Sequence, residues 1–320
     1  THSQLTAALV TAASRVFLGG SSNDATIFFN DADGTPITAT TLSNIGGQTN
    51  ASVTVNNAIA ITGTTAELFA ALITNSSKVI VTDATITITD TPTVAQLTAI
   101  DATTTGIITI NSGATSDSLS GTVAQVLTTL ASLSAYTGNI IITDVAATDI
   151  TATDISTINS ASTGSITVTN AIDINGSAAE VATAFNAIDT NTGNATANIT
   201  GTDYTIAQLK TINAATTGDI VLDDPSAALS GSTADLVAAF AGTITTHTGN
   251  ITITDAASTS INATNLAFIG SATTGTVTVA NAVAITGTHN ELTAALITAA
   301  SRVSLGGSSN DATIFFNDAD

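Results

Sequence analysis

The chain has 320 residues, and 24 acidic residues against four Lys or Arg give it a formal net charge of −20. This charge repels nucleic acid and anionic lipid surfaces, so neither is an expected partner. Because Cys, Met and Trp are absent, there is no thiol chemistry, and the core must be built from Ala, Val, Ile, Leu and nine Phe. No apolar run reaches the length of a membrane span, and we therefore expect no membrane insertion.

In chain order, the elements follow a recurring sequence of strand, strand and helix. Val53-Thr54-Val55 alternates apolar and polar residues, which predicts a strand with one buried face. The run AIAIT at 58–62 predicts a second strand, and a helix start follows at Thr64. Ile166-Thr167-Val168 and Ile251-Thr252-Ile253 begin later copies of the same order.

Two series of glycines give the period of this pattern. One follows Thr in a TG dipeptide, at Gly106, Gly138, Gly164, Gly193, Gly218, Gly249 and Gly275. The other lies in motifs such as ITGT and LSGS, at Gly63, Gly121, Gly176, Gly231 and Gly287. The second series has twice the spacing of the first, so two kinds of half-unit, each about 28 residues long, alternate.

Capping boxes mark the predicted helix starts. In such a box a Ser or Thr side chain and a Glu or Gln side chain three residues later satisfy backbone N–H groups reciprocally. The pairs are Thr64 and Glu67, Thr93 and Gln96, Thr122 and Gln125, Ser177 and Glu180, Thr205 and Gln208, and Thr288 and Glu291. Arg15, Lys78 and Arg302 follow three of these helices, and we interpret them as cations that favour the negative ends of the helix dipoles.

The two ends of the chain carry nearly the same sequence. Residues 1–33 match residues 288–320 at 29 of 33 positions, at an offset of 287 residues that holds five double units. The chain is therefore predicted to be a single continuous solenoid over 1–320. It would comprise one 287-residue repeat (1–287) and the start of the next copy (288–320). The predicted fold is an α/β solenoid of parallel β-strand coils, each with a helix, about 28 residues per coil, with two alternating coil types.

Stacked coils would align equivalent residues in columns, and one column is rich in Asx residues. It contains Asn57, Asp83, Asp144, Asn170, Asp224, Asp255 and Asn281. We interpret it as a ladder in which side chains hydrogen-bond the backbone at a corner and one another along the stack. The alternative is divalent cation binding where carboxylates cluster, at Asp223, Asp224 and Asp255.

The stretch RVFLGGSSNDATIFFNDAD, residues 15–33, departs from the pattern by an inserted loop at Gly19–Ser22. GGSSND is similar to the calcium-binding nonapeptide G-G-x-G-x-D, with Ser22 in place of the third Gly, and NDADG is similar to the end of a calcium loop. Asp24, Asp31 and Asp33 are the calcium candidates here, and a plain solvent loop is the alternative. Nothing in the sequence requires a cofactor, and calcium is the only ion for which it offers a candidate site. Of Phe28 and Phe29, at least one is expected to face outward.

A second column consists of Thr at the middle of the first strand of each half-unit. Its members are Thr54, Thr109, Thr167, Thr196, Thr252 and Thr278. Thr is a good strand former, so a structural role is sufficient to explain the column. A regular Thr array is also suited to binding an ordered surface such as ice or a crystalline polysaccharide.

Catalytic motifs are absent from the sequence. There is no G-x-S-x-G, no H-E-x-x-H and no phosphate-binding loop. His2 and His289 occupy the same repeat position beside a helix cap, and His247 lies near a helix end. We interpret all three as surface residues, and the chain is not expected to be an enzyme.

The phrases TDTPTVAQLTAIDATTTGIITI (89–110) and TDYTIAQLKTINAATTGDIVL (202–222) resemble repeats of giant extracellular surface and adhesin-like fibre proteins of aquatic bacteria. The resemblance implies an extracellular fibre or stalk, often exported through a type I route and often linked to calcium. We therefore predict an extracellular or cell-surface structural protein, part of a filament that contacts other copies of itself end to end or laterally. The alternative is an adhesin-type binding module that uses the Thr-rich strand face or the acidic loops to bind a surface, glycan, ice or calcium.

Overall fold

The computed structural model describes residues 1–11, 24–74, 76, 78–111, 118–133, 136–298, 302–306 and 311–318. Helices recur throughout these residues. Their bounds are α1 His2–Leu5, α2 Ala39–Gly46, α3 Thr65–Leu68, α4 Val94–Asp101, α5 Val123–Ser132, α6 Ala152–Ala161, α7 Ala178–Ala187, α8 Ile206–Ala215, α9 Thr233–Phe240, α10 Ala263–Ala272 and α11 His289–Leu296. Helices α1 and α3 continue as π-helical turns, Thr6–Val10 and Phe69–Ile73.

Short strands lie between the helices. Their bounds are β1 Ile27–Phe29, β2 Pro36–Thr38, β3 Val53–Val55, β4 Ala60–Gly63, β5 Val79–Ile80, β6 Thr85–Ile88, β7 Ile108–Ile110, β8 Ser118–Gly121, β9 Asn139–Ile142, β10 Asp149–Thr151, β11 Ile166–Val168, β12 Asp173–Gly176, β13 Thr190–Asn191, β14 Thr196–Ile199, β15 Ile220–Leu222, β16 Leu229–Gly231, β17 Ile251–Ile253, β18 Ser260–Asn262, β19 Val277–Val279, β20 Ala284–Gly287, β21 Val303–Ser304 and β22 Thr313–Phe316.

The chain divides into two compact units, Thr1–Thr143 with Thr157–Thr167, and Asp144–Ser156 with Val168–Asp320. In the first unit the sheets have the orders β1-β3-β5 and β2-β4-β6-β7, and β8 pairs with β9. In the second unit the orders are β10-β12-β14-β15, β16-β17-β19-β21 and β18-β20-β22. The strands of these sheets pair in parallel, as in β4 with β6 and β17 with β19. Small parallel sheets that alternate with helices confirm the predicted α/β class.

Alternation along the strands separates a buried row from an outer row. Ile61, Ile86 and Ile108 pair in register across β4, β6 and β7, and each is at most 1% exposed. The intervening Thr62, Thr87 and Thr109 form the outer row of the same sheet. Helices complete each core with apolar side chains. Leu42 of α2 and Leu97 of α4 are fully buried in the first unit, as are Leu209 of α8 and Leu236 of α9 in the second.

The strands that follow the TG glycines do not all join one sheet. β17 and β19, which follow Gly249 and Gly275, pair with each other, whereas β7, after Gly106, pairs with the second strand β6, and β14, after Gly193, pairs with the second strand β12. The predicted single column of first strands is therefore wrong.

The number of residues between successive strands explains why β7 pairs with β6 rather than with β5. The chain from Val79 to Ile108 is longer than the chain from Val53 to Val79, which joins the paired strands β3 and β5. The chain from Ile86 to Ile108 is instead slightly shorter than the chain from Ile61 to Ile86, which joins the paired strands β4 and β6. The shorter connection places β7 beside β6.

The TG glycines lie where successive repeat segments pass each other closely. A Cβ on Gly164 would overlap the carbonyl of Gly138, and a Cβ on Gly275 would overlap the carbonyl of Gly249. Neither Gly164 nor Gly275 has a left-handed φ. Glycine is therefore needed at these two positions for the close approach of two backbones rather than for a special turn conformation.

The residue two positions before each of these glycines ties adjacent segments together, and we call it the corner position. Thr273 Oγ1 donates to the Gly249 carbonyl at 2.8 Å and accepts from the Gly275 N–H at 2.9 Å. The same pair of bonds is made at three other corner positions, Thr104, Ser162 and Thr216. All four side chains are buried, because their hydrogen bonds satisfy backbone groups inside the corner.

Candidate functional site

The acidic residues nominated as calcium ligands include two that cap helices of the preceding segment. Asp31 is buried, accepts the His2 N–H at 2.7 Å, and lies 2.7 Å from His2 Nδ1. Asp255 accepts both the N–H and the hydroxyl of Thr233 at 2.7 Å, at the first residue of α9. Asp90 makes the corresponding pair of bonds to Thr65. These carboxylates satisfy helix N–H groups that would otherwise lack a partner.

Of the remaining calcium candidates, two accept backbone N–H groups and two are exposed. Asp33 accepts the Ala58 N–H at 3.1 Å, and Asp224 accepts the Ser226 N–H at 3.1 Å. Asp24 and Asp223 are exposed. No group of three or more His, Asp or Glu side chains suited to a metal occurs among the described residues. The Gly19–Ser22 loop lies outside those residues.

Members of the Asx column bond the segment before them. The Nδ2 groups of Asn170 and Asn281 donate to the carbonyls of Asp144 and Asp255 at 2.7 Å, each across 26 residues. Asn57 bonds the Asp31 carbonyl in the same way. Of the other members, Asp83 is exposed, Asp144 is buried, and the Asp224 carbonyl accepts the Tyr204 hydroxyl at 3.1 Å.

A further polar ladder was not predicted from the sequence. On the outer face of β10, β12 and β14, Asn175 Nδ2 donates to Asp149 Oδ1 at 3.0 Å, and Asn198 Nδ2 donates to Asn175 Oδ1 at 2.8 Å. The three residues are 26 and 23 residues apart in sequence. A search for Asx residues at these intervals would have found them.

All six capping boxes are present in the structure. Glu67, Glu180 and Glu291 each accept the backbone N–H of the N-cap residue, and that bond lowers the pKa of each carboxyl below its ordinary value. Thr1 and Gln4 form a seventh box at α1. The acidic side chains of these boxes are therefore committed to helix ends.

Hydroxyl groups form two rows on the outer faces of the sheets. In the first unit, Thr38, Thr62, Thr87 and Thr109 pair in register across four adjacent strands. In the second unit the row is Ser230, Thr252, Thr278 and Ser304.

These rows differ from the predicted Thr column. Thr54 lies between Phe28 and Ile80, and Thr196 pairs with Asp173. The difference arises because β7 joins the β2-β4-β6 sheet, which gives Thr109 the Thr neighbours Thr87 and Thr62. Phe28 is 56% exposed and Phe29 is 1% exposed, so one of the two faces outward as expected.

The prediction that His247 is a surface residue is wrong, because its side chain is fully buried. It occupies the corner position before Gly249, where its Nε2 lies 2.8 Å from the Ala227 carbonyl. That carbonyl only accepts, so Nε2 carries the proton and Nδ1 faces the Tyr204 hydroxyl at 3.2 Å. Burial lowers the pKa of the imidazole. His247 thus makes the bond that a Thr hydroxyl makes at other corners.

The other two histidines are more accessible. His2 pairs with Asp31, and His289 is exposed and stacks on Phe316 with 6.5 Å between ring centroids. Neither belongs to a group of three or more His, Asp or Glu side chains suited to a metal among the described residues.

The interpretation of the cations as partners of helix dipoles is also wrong for Lys78 and Arg302. Neither lies in the last turn of a helix, and both adopt a left-handed φ, 54° and 52°. The Arg302 guanidinium donates to the Thr274 carbonyl at 2.7 Å, beside the corner of the preceding segment. Arg15 lies outside the described residues.

An open hollow of about 790 Å³ lies along α8 and α9 and contains an ion pair. Lys210 Nζ is 2.6 Å from Asp235 Oδ1, and this contact with Lys210 lowers the pKa of the Asp235 carboxyl. Both side chains are about half exposed. The cation is already neutralised by its partner, so the hollow offers hydrogen-bonding groups but no unpaired charge from this pair.

A second hollow, of about 290 Å³, is apolar and lies beside β22. Its lining includes Leu292, Leu296, Ile314 and Phe316. Three successive large apolar residues of β22 are exposed, Ile314, Phe315 and Phe316. This combination of an exposed strand and an apolar hollow forms a continuous apolar face on the described surface.

Comparison with known proteins yields no relative. No protein-family model, no curated protein and no solved structure matches the chain. Among the described residues, none of the helices has the length and apolar character required to cross a membrane.

Proposed function

We propose that this chain is a structural segment of an extracellular filament or cell-surface fibre. In this proposal tandem copies of the repeat 1–287 form a solenoid, with about 28 residues per coil and two alternating coil types. Its partners are other copies of itself, end to end or laterally. The chain performs no catalysis and requires no cofactor.

One observation carries this proposal, namely that polar side chains are used to join each segment to its neighbour at the repeat spacing. Thr273 bonds a carbonyl 24 residues earlier, Asn281 bonds one 26 residues earlier, and Asp255 caps a helix residue 22 residues earlier. The first unit uses the same bonds at Thr104, Asn57 and Asp90. Such regular ties between neighbouring segments are typical of repeat proteins, in which stability is propagated from repeat to repeat.

Electron microscopy of two lengths of the protein tests the proposal. The 320-residue chain is compared with a chain in which residues 1–287 precede residues 1–320. Parallel strands lie about 4.8 Å apart, so ten further coils should lengthen the particle by about 50 Å at constant width. Particles that grow equally in all directions would contradict a fibre segment.

The two hydroxyl rows favour a second candidate, an adhesin-type module that binds an ordered surface. Thr38, Thr62, half-buried Thr87 and Thr109 stand in register on the four adjacent strands β2, β4, β6 and β7, which gives the row a regular spacing, and Thr38, Thr62 and Thr109 are exposed. We expect T62K/T87K to abolish retention on ice or crystalline polysaccharide if the row binds such a surface. T40K/T128K is the matched control, because Thr40 and Thr128 are exposed on helices. Equal retention of both variants would reject the hydroxyl row as the binding face.

A further inference from the structure

The same sequence occurs in two different surroundings in this chain. Ile27-Phe28-Phe29 in β1 is repeated as Ile314-Phe315-Phe316 in β22. Ile27 and Phe29 are 6% and 1% exposed, whereas Ile314 and Phe316 are 41% and 63% exposed. The side chains are identical, so the difference must come from what packs on each strand.

Each copy of this strand uses the edge that the other leaves open. β1 pairs with β3, with Ile27 opposite Val53 and Phe29 opposite Val55. β22 instead pairs with β20, with Ile314 opposite Ile285. Both strands end their sheets, so among the described residues no strand pairs with the second edge of either. If both pairings were made by a single copy, the strand would lie between a strand equivalent to β20 on one edge and a strand equivalent to β3 on the other.

The helices show the same complementarity. Leu292 and Ala295 of α11 are 4% and 0% exposed and α11 packs on α10. The equivalent Leu5 is half-buried and Ala8 is exposed, and among the described residues α1 has no neighbouring helix that corresponds to α10. On its other side, the turn Thr6–Val10 contacts α2. The apolar hollow beside α11 and β22 is the position that α2 and β3 cover in the first unit.

We propose that the free edge of β22 and its apolar hollow bind a second copy of the repeat, which enters with residues 34–63. This inference rests on the proposed function and specifies its interface. The incoming Val53 pairs opposite Ile314 and the incoming Val55 opposite Phe316, in the register that β3 has with β1. The incoming α2 covers Leu296 and Phe316. Sequence identity with residues 24–33 is the reason that this segment, rather than an unrelated apolar partner, fits the face.

The test joins residues 34–143 directly after Asp320 of the full chain and measures proximity by crosslinking. The protein has no Cys, so an engineered pair is unambiguous. F315C combined with T54C in the added copy should crosslink with a short bismaleimide. The positive control is F28C/T54C in the 320-residue chain, because Phe28 and Thr54 are opposite each other. The matched negative control is F315C with T62C in the added copy, because Thr62 belongs to a different sheet from Thr54.

Hydrogen exchange provides a second readout. Thr313 and Asn317 already donate to the carbonyls of Val283 and Gly287, so the amides that face the free edge are those of Ile314 and Phe316. These two amides should exchange at least tenfold more slowly in the extended chain than in the 320-residue chain. Unchanged exchange there, together with no crosslink at F315C and T54C, would overturn the proposal. An added copy that stays unfolded would also count against it, because the face would then not accept this sequence.

The two proposals fail separately. Rods that lengthen in the electron microscope without the crosslink would reject this interface and retain the fibre. A crosslinked but globular particle would retain the interface and reject the fibre.

Discussion

At the scale of single residues, the corner position shows how one side chain closes two backbone hydrogen bonds at once. Thr273 lies between the carbonyl of one segment and the N–H of the next, where water has little access. A buried backbone group without a partner costs free energy comparable to a lost hydrogen bond. The hydroxyl is therefore needed for its bonds more than for its volume.

We expect T273V to lower the free energy of unfolding by about 1–3 kcal/mol, because it leaves a buried carbonyl and N–H without partners. T273S keeps the hydroxyl and should retain most of the stability. Denaturant unfolding followed by circular dichroism measures both. T278V, at an outer strand position, is the control and should change stability by less than about 0.5 kcal/mol. Equal losses in T273S and T273V would refute the role of the hydrogen bonds.

His247 makes stability depend on pH. Burial lowers its pKa in the folded state, so on acidification the unfolded chain takes up the proton first. The stabilisation is complete above about pH 6.5, the ordinary His value, and is lost as the pH falls from there towards the folded pKa. One proton limits the slope to about 1.4 kcal/mol per pH unit.

H247T, which places the residue of other corners at this position, should remove that slope from unfolding curves measured between pH 7.5 and 5. H289Q should keep the slope, since His289 is exposed. A slope that survives in H247T would show that another group is responsible.

The glycines of these corners could be identified from sequence, but the bonded residues beside them could not. The TG dipeptide repeats visibly, whereas the corner position is occupied by Thr, Ser, Tyr136, Asn191 or His247. Its partner lies 20–24 residues earlier at Thr104, Ser162, Thr216, His247 and Thr273. The position is visible only once the segments are known to stack, which explains why His247 was assigned to the surface.

At the scale of elements, the helix starts were predictable because their signals are local. A capping box spans four residues, and neither partner depends on the rest of the fold. In the three boxes that contain Glu, namely those of Glu67, Glu180 and Glu291, the carboxyl has a lowered pKa, so its contribution to stability is present above about pH 4.5 and is lost as the pH falls through the folded pKa.

We expect S177A to destabilise the protein by about 1 kcal/mol at pH 7, because Ser177 accepts the Glu180 N–H at the start of α7. S177D and S177T retain a capping oxygen and should lie within about 0.5 kcal/mol of the parent. Thermal and denaturant melts compare the three variants. If S177D is as unstable as S177A, the cap is not the source of the loss.

The pairing of strands was less predictable than their existence. Period-2 alternation identifies a strand and its buried face, but it does not determine which sheet the strand joins. β7 joins the sheet of the second strands because the connection before it is short. Correct pairing would have required the path of the intervening residues, which composition does not supply.

At the scale of the whole molecule, the predicted parallel α/β arrangement is confirmed, whereas the continuous solenoid, the calcium sites and the fibre remain predictions. The nominated carboxylates were assigned by their spacing along an assumed stack. Spacing alone does not distinguish a carboxylate that awaits a cation from one that caps a helix, as Asp31 and Asp255 do. That distinction depends on backbone N–H groups supplied by a different segment.

The net charge of −20 predicts a stability that rises with ionic strength, because salt screens self-repulsion among the carboxylates. We expect the melting temperature to rise by several degrees between about 0.01 and 0.5 M NaCl. Calcium chloride at equal ionic strength should give the same midpoint, since Asp31 and Asp255 are engaged with helix N–H groups. A larger rise with calcium, reversed by a chelator, would restore a calcium site.

The scarcity of basic residues affects how readily trypsin-like proteases can cleave the protein. Proteases that cleave after Lys or Arg find four such residues in 320. Lys210 lies within α8, with its ammonium 2.6 Å from Asp235 of α9, so cutting there requires the helix to unwind and the ion pair to open. Digestion by trypsin-like enzymes therefore has few points of entry.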